Sequence, residues 1–377
     1  MTSKPKKIAI IGASYLQLPL VLRANELGYE TFCFSFLDGA VCEAHCTEFY
    51  PISVIEKEEI LAICRELEID GITSIASDLV VPTINYISNS LGLNGNTVAS
   101  SELCTNKFVM KETLSAAGLN VARFITLRST KDLVKVKNLS YPLIVKPVDR
   151  SGSLGVTKIL SSSDLEFAFA FALSTSLVNQ VIVEEFIVGD EISVESISIF
   201  GEHYQLATTD KVTSGAPHFV ELEHHEPSSL SKELLAEIHE LIPKALDVLK
   251  IKNSASHSEL IITAQGKVYI NEIGARMGGD FIGSHLVQLT TGYDYLQGVI
   301  ETSLGIAKAP LHSLSKSAGV VFYSTENEAQ TNHLDPSAPY VIKHEITGTK
   351  TIELTKSADR HGYLIYQSEK RIIFENK

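Results

Sequence analysis

The chain has 377 residues, 44% hydrophobic and 20% charged, with a formal net charge of −13 from 32 Lys+Arg against 45 Asp+Glu. That length exceeds one ordinary core and asks for two or three packed subdomains, while 7% aromatic residues and the lack of low-complexity runs exclude a disordered chain. The acidic balance lacks the concentrated basic face that nucleic acid or an anionic membrane would need in a partner.

The opening MTSKPKK has no signal h-region. The longest apolar runs, such as Ile8–Ile11 and Ile197–Phe200, fall far short of the ~18–20 residues that span a bilayer, so a cytoplasmic location is expected. All five cysteines, Cys33, Cys42, Cys46, Cys64 and Cys104, lie in the first third. An odd count without a CxxC pair argues against a disulfide framework and a zinc knuckle. Cys42, His45 and Cys46 could be drawn as metal ligands, but no second ligand pair follows, and buried thiols are the plainer reading.

In chain order, KKIAIIGAS is a short apolar run entering a glycine turn, LQLPLVLRANELG has helical spacing with a glycine stop, and YETFCFSF is a second strand. The alternation continues through KEEILAICRELEIDG (helix), ITSIAS (strand) and PTINYISNSLG (helix). Such units predict a doubly wound parallel sheet over roughly residues 1–100. The segment after Gly12 lacks the further glycines of a dinucleotide fingerprint, which removes the main support for a nicotinamide or flavin site.

From about residue 104 the texture becomes α+β. TNKFVMKETLSAAGLN is an amphipathic helix, and a helix around DLEFAFAFAL precedes strands NQVIVEEFI and EISVESISIF. A helix near 231–249 and a hairpin near 257–273 follow. The stretch 310–377 alternates short strands with turns and predicts a small antiparallel sheet packed on the rest.

Three segments carry candidate chemistry. PLIVKPVDRSGSLGVTKI ends a strand on Lys146 and turns through Ser151, Gly152, Ser153 and Gly155, small residues whose N–H groups can surround phosphate oxygens. A hairpin that merely needs glycine looks the same, and the segment is not a P-loop. In NQVIVEEFIVGDEISVE the backbone at Glu185–Ile187 could pair with an adenine edge and Glu191 could accept from ribose hydroxyls; an edge strand with solvated carboxylates is the bland alternative. SHSELIITAQGKVYINEIGAR reads as two strands around a two-residue Gln265–Gly266 turn, a register that sets Glu259 directly opposite Glu272, with Ile261 and Ile270 expected on the same face. Like charges so placed repel unless a cation lies between them, and Mg²⁺ bridging nucleotide phosphates resolves the repulsion; a shifted register is the alternative. In GARMGGD, the planar fork of Arg276 suits a carboxylate, and Gly278–Gly279 permits close ligand approach.

In this order the segments resemble the ATP-grasp superfamily over nearly the whole chain. The resemblance implies a mixed α/β and α+β chain in four parts: a parallel βαβ domain (1–103), a linker helix with ATP lid (104–187), a catalytic subdomain (188–309) and the small C-terminal β subdomain (310–377). It implies that Lys107 and Lys146 contact ATP, that Ser151–Val156, including Gly152, Ser153 and Gly155, form the phosphate lid, and that Glu184, Glu185, Phe186 and Ile187 form the adenine hinge. Glu191 would hold the ribose, and Glu259 and Glu272 would bind Mg²⁺, with Mn²⁺ an acceptable substitute.

Within the superfamily, TTDKVTSGAPHFVELEHHEPS resembles the corresponding loop of bacilysin-type L-amino acid ligases. By that likeness Glu221 and His224 reach substrate, Lys211 lies near the phosphates, and Arg276 holds the carboxylate. The implied activity is ATP-dependent amide formation through an acyl phosphate, on small-molecule carboxylate and amine substrates, in a monomer or homodimer. Gly274 stands where the family more often has asparagine, so one metal or phosphate ligand is either absent or supplied elsewhere, with Asn271 the candidate. Asp280 stands where a bulky apolar residue is usual. The rivals are a purine-pathway-type carboxylase or formyl ligase and a non-catalytic nucleotide-binding protein.

Overall fold

The computed structural model describes residues 4–152, 154–216, 218–348 and 353–373. The first domain is a four-stranded parallel sheet of β1 (Lys7–Ile11), β2 (Glu30–Phe34), β3 (Glu48–Tyr50) and β4 (Gly71–Thr73), in the order β3-β2-β1-β4. Period-two alternation makes both faces of β1 apolar. Ala9 and Ile11 pack with Ile60 and Ile87 of helices α2 (Lys57–Leu67) and α3 (Val81–Leu91). Ile8 and Ile10 pack with Leu20 of helix α1 (Leu18–Glu26) and with Ile197, Tyr295 and Val299 from the remainder of the chain. One face of the N-terminal sheet is thus joined to the rest of the chain by a continuous core.

Helices α4 (Val98–Thr105) and α5 (Lys107–Ala116) follow; the Asn106 side chain caps α5 by accepting from the Phe108 and Val109 N–H groups. The lid is an antiparallel sheet of β5 (Phe124–Leu127), β6 (Leu143–Pro147), β7 (Thr157–Ile159) and β8 (Val181–Glu185), ordered β5-β8-β6-β7 and backed by α6 (Leu165–Thr175).

The body is an eight-stranded antiparallel sheet ordered β13-β12-β9-β10-β11-β14-β16-β15. It comprises β9 (Asp190–Ile199), β10 (Glu202–Thr213), β11 (Glu221–Glu226), β12 (Ser254–Ile262), β13 (Val268–Gly274), β14 (Ser317–Tyr323), β15 (Val341–Ile346) and β16 (Gly362–Ser368). Helix α7 (Lys232–Val248) covers one face through Ile238, Ile242 and Leu246, while α8 (Val287–Thr291) and α9 (Tyr295–Ser303) lie toward the N-terminal domain. The last three strands do not form the separate small sheet expected of 310–377. β14 pairs directly with β11, which places the C-terminal strands in the same sheet as β9–β13. Among the described residues no helix is long and apolar enough to cross a membrane.

Candidate active site

Lid and body enclose a cleft of about 1390 Å³ including its open mouth. Its floor is the β12–β13 hairpin, where Glu259 pairs with Glu272. The pair forms as expected, although the turn beyond it is not the two-residue form. Next to the turn, Ile262 pairs with Val268 and Leu260 with Ile270, one residue out of step with a two-residue turn, and the Gly266 N–H closes onto the Thr263 carbonyl. A bulge at Asn271, between the Glu259 and Leu260 pairings, absorbs the difference. It brings Asn271 and Glu272 both into the cleft and sends Ile270 to the opposite face, into the core beside Leu260; Ile261 alone lines the cleft with the glutamates.

Each floor carboxylate is held by a lysine. Lys107, presented by the capped first turn of α5, has Nζ 2.6 Å from Glu272 Oε1 and donates to the Arg150 carbonyl at 2.7 Å. Lys211 of β10 lies 2.6 Å from Glu191, 2.7 Å from Glu221 and 3.0 Å from Glu259. Burial opposes its charge, but Glu221, Glu259 and Glu191 raise it well above the usual lysine range. One ammonium among three carboxylates leaves an excess of negative charge. Burial, together with Glu259 and Glu221 and against Lys211, holds the Glu191 carboxyl above its ordinary range. Glu259 stays well below: burial opposes its charge, but Lys211 and His257 outweigh it. Hard oxygen donors with uncompensated negative charge, next to space for a polyanion, fit a divalent cation such as Mg²⁺.

At the back of the lid, Glu184 lies 3.0 Å from Lys146 and 3.1 Å from Lys111. Burial works against the carboxylate, but the two ammonium groups hold it below the usual range. Lys111 was missed by sequence reasoning, although its place one helical turn after Lys107 offered a signal. The apolar end of the cleft consists of Ala122, Ile144, Phe186, Ile187 and Ile261. The Phe186 N–H already donates to the Pro142 carbonyl at 2.9 Å, whereas among the described residues no backbone acceptor takes the Ile187 N–H. Of the lid residues, Ser151, Gly152 and Val156 line the cleft. Gly155 does not: a Cβ there would stand 2.2 Å from Thr175 Oγ1, so it is needed for close approach to α6. Ser153 lies outside the described residues.

Arg276 lines the cleft, but its fork is not free. Nε and Nη2 bind Asp78 at 2.9 and 2.8 Å, leaving Nη1 with the Met277 carbonyl at 3.3 Å. Asp78 sits beyond β4 in another domain, and nothing in the sequence linked it to Arg276. His224 is not among the cleft-lining residues; it is fully buried behind Glu221, with Nε2 3.8 Å away and neither ring nitrogen hydrogen-bonded to a described residue. Burial pushes its imidazole down to about 3, so it is neutral. Asp280 forms a two-pronged pair with Arg360 at 2.8 Å on both arms, and Arg360 also donates to the Glu221 carbonyl at 3.3 Å and lies 3.7 Å over the Phe322 ring. Lys356 and Ser357, just before Arg360, line the cleft mouth. The C-terminal segment therefore contributes to the site, which sequence reasoning did not foresee.

Residues 139–284 match the family model described as an ATP-grasp domain. That segment is similar to ATP-grasp domains. The chain is 27% identical over 245 residues to the alanine--anticapsin ligase of Bacillus subtilis (strain 168), covering 59% of this chain and 51% of that one. It is 29% identical over 185 residues to D-alanine--D-alanine ligase B of Clostridium perfringens, covering 48% and 60%. The chain thus spans about half the length of the first of these curated relatives and somewhat more of the second. Among solved structures it superposes on an L-amino acid ligase from Bacillus licheniformis (TM-score 0.79, 24% identity, 98% of this chain and 95% of that one). It superposes equally on the ADP complex of N5-carboxyaminoimidazole synthetase from Staphylococcus aureus (TM-score 0.79, 18% identity, 97% and 94%). At these identities the superpositions establish the ATP-grasp fold.

Proposed function

We propose that the protein is an ATP-dependent, ADP-forming ligase that joins a small carboxylate, an amino acid or a similar molecule, to an amine through an acyl phosphate. The observation that carries this reading is the Glu259–Glu272 pair on the cleft floor, neutralised in part by Lys211 and Lys107 and facing the lid loop. Glu259 and Glu272, with Asn271 beside them, would hold Mg²⁺ or Mn²⁺, which supplies charge neutralisation for the phosphates. Lys107 and Lys146 position ATP, Ser151, Gly152 and Val156 cover its phosphates, Glu185–Ile187 meets the base and Glu191 the ribose. The Nη1 edge of Arg276 receives the substrate carboxylate, whose oxygen attacks the γ-phosphorus and releases ADP. Glu221, with His224 behind it, receives the amine, which attacks the acyl carbon and expels phosphate. The protein's part is positioning and charge stabilisation, and closure of the lid protects the acyl phosphate from water.

The test is ADP release with ATP, Mg²⁺ and pairs of amino acids, followed by mass measurement of the product. Glu272→Gln is expected to abolish turnover without unfolding the protein; normal ADP release from the folded variant refutes the assignment. A purine-pathway-type carboxylase is the second reading, supported by the equal TM-score to the carboxyaminoimidazole synthetase. ADP release that depends on bicarbonate and not on amino acids would select it.

A further inference from the structure

We propose that Glu195 and His257 are positioning residues, a buried unit that ties the metal-binding floor to the Gly278–Gly279 turn and fixes which oxygen of Glu259 faces a cation. The inference rests on the ATP-grasp ligase reading of the cleft and concerns side chains which that reading leaves unused.

Glu195 on β9 and His257 on β12 are direct register partners, so their side chains leave the same face of the sheet. Glu195 is completely buried and His257 nearly so. The Glu195 Oε1 oxygen bonds His257 Nδ1, and Oε2 accepts the Gly278 N–H at 3.0 Å. With Nδ1 engaged, the imidazole presents Nε2 to Glu259 Oε1, 3.4 Å away. A continuous path therefore runs from the backbone of the Gly278–Gly279 turn through one carboxylate and one imidazole to the floor glutamate.

The second oxygen of Glu259 shows what the path does. His257 and Lys211 both converge on Oε1, whereas among the described residues Oε2 meets only the Asn271 amide at 3.5 Å. The buried unit thus presents Oε2 to the cleft. It also constrains the turn: a Cβ at position 278 would stand 2.4 Å from Glu195 Oε1 and 2.8 Å from His257 Nδ1. Only glycine lets the turn carrying Arg276 and Asp280 approach this closely. Stability alone is a weak reason for such a unit, since an apolar pair of similar volume often stabilises a sheet as well as a buried ion pair does. Partners that orient metal ligands typically change metal affinity about 10–100-fold when removed.

The experiment measures Mn²⁺ binding by electron paramagnetic resonance in the presence of a non-hydrolysable ATP analogue, for the full chain and the variants Glu195→Gln, His257→Gln and Gly278→Ala. Circular dichroism checks folding. Folded variants are expected to bind Mn²⁺ about 10–100-fold more weakly while binding the analogue in EDTA like the parent. Because one unit is involved, Glu195→Gln combined with Gly278→Ala should lose no more affinity than the worse single variant. Parent-like Mn²⁺ affinity in folded Glu195→Gln, or fully additive losses in the double variant, overturns the proposal. Should the charge variants fail to fold, Gly278→Ala, which removes no charge, decides by its Mn²⁺ affinity alone. Absence of Mn²⁺ binding by the parent protein would instead defeat the underlying reading of the cleft.

Discussion

Glu226 at the end of β11 permits a quantitative prediction about pH and stability. It is fully buried, with Oε1 2.9 Å from Thr209 Oγ1 and Oε2 3.0 Å from Thr290 Oγ1. Both threonine hydroxyls donate to the Glu226 carboxyl. Burial drives it up to about 8, the threonine hydrogen bonds opposing, from an ordinary 4.5. Between those values the folded chain holds a proton that the unfolded chain has released. Stability therefore falls as pH rises from about 4.5 to about 8 and is level beyond. At ~1.4 kcal/mol per pH unit the ceiling is ~5 kcal/mol, and relaxation around the charge reduces it to about 2–5 kcal/mol. Glu226→Gln keeps both contacts, with its amide donating to Thr290, and removes the ionisation. Urea unfolding followed by circular dichroism, the chain having no tryptophan, should show parent and variant nearly equal at pH 5 and the variant more stable by about 2–5 kcal/mol at pH 8.5. A stability difference that does not change between pH 5 and 8.5 refutes the reasoning.

Other outcomes follow from charges whose partners are fixed. Arg360→Met leaves Asp280 buried without its cation and should cost about 3–5 kcal/mol; adding Asp280→Asn should recover much of that in the same urea assay, and no recovery would show that the pair is not the cause. Lys211→Met removes the cation shared by Glu191, Glu221 and Glu259, so ADP release should fall at least about 100-fold, with parent-like turnover contradicting its place in the site. Leu354→Ala opens the small cluster with Val220 and Leu222 that fastens the C-terminal segment to β11. Thermal unfolding should show a loss of about 2–3 kcal/mol, and an unchanged midpoint would mean that the segment is held by Arg360 alone.

The N-terminal βαβ domain was legible because its information is local: alternation, glycine stops and helical spacing each lie within a dozen residues. The floor glutamates were legible for a related reason, since two strands joined by a short turn have few registers. Even there the count worked only because a bulge at Asn271 compensated for a turn that departs from the two-residue form. That bulge also explains how Asn271 comes to share the cleft with Glu272 while Ile270 turns away.

What the sequence did not reveal are pairings across domains. The planar fork of Arg276 looked free to receive a carboxylate, yet Asp78, 198 residues earlier, reaches it across the junction between the N-terminal sheet and the body. Arg360 lies in the stretch expected to form a small separate sheet, but β14 joins β11 and carries the following segment back to Asp280 and Glu221. Lys111 and His257 differ in kind. Their signals were present, one helical turn from Lys107 and two strand positions from Glu259, and they are recognised once each helix and strand is treated as a face. A site built from such faces concentrates its charge where the strands converge. The acidic residues of the cleft thus offer a surplus of negative charge to a cation, and the cation with the surrounding lysines makes room for a polyanion. On the proposed reading, that local reversal, set by side chains on β9, β10, β12 and β13, is what lets a chain with a net charge of −13 hold a nucleoside triphosphate.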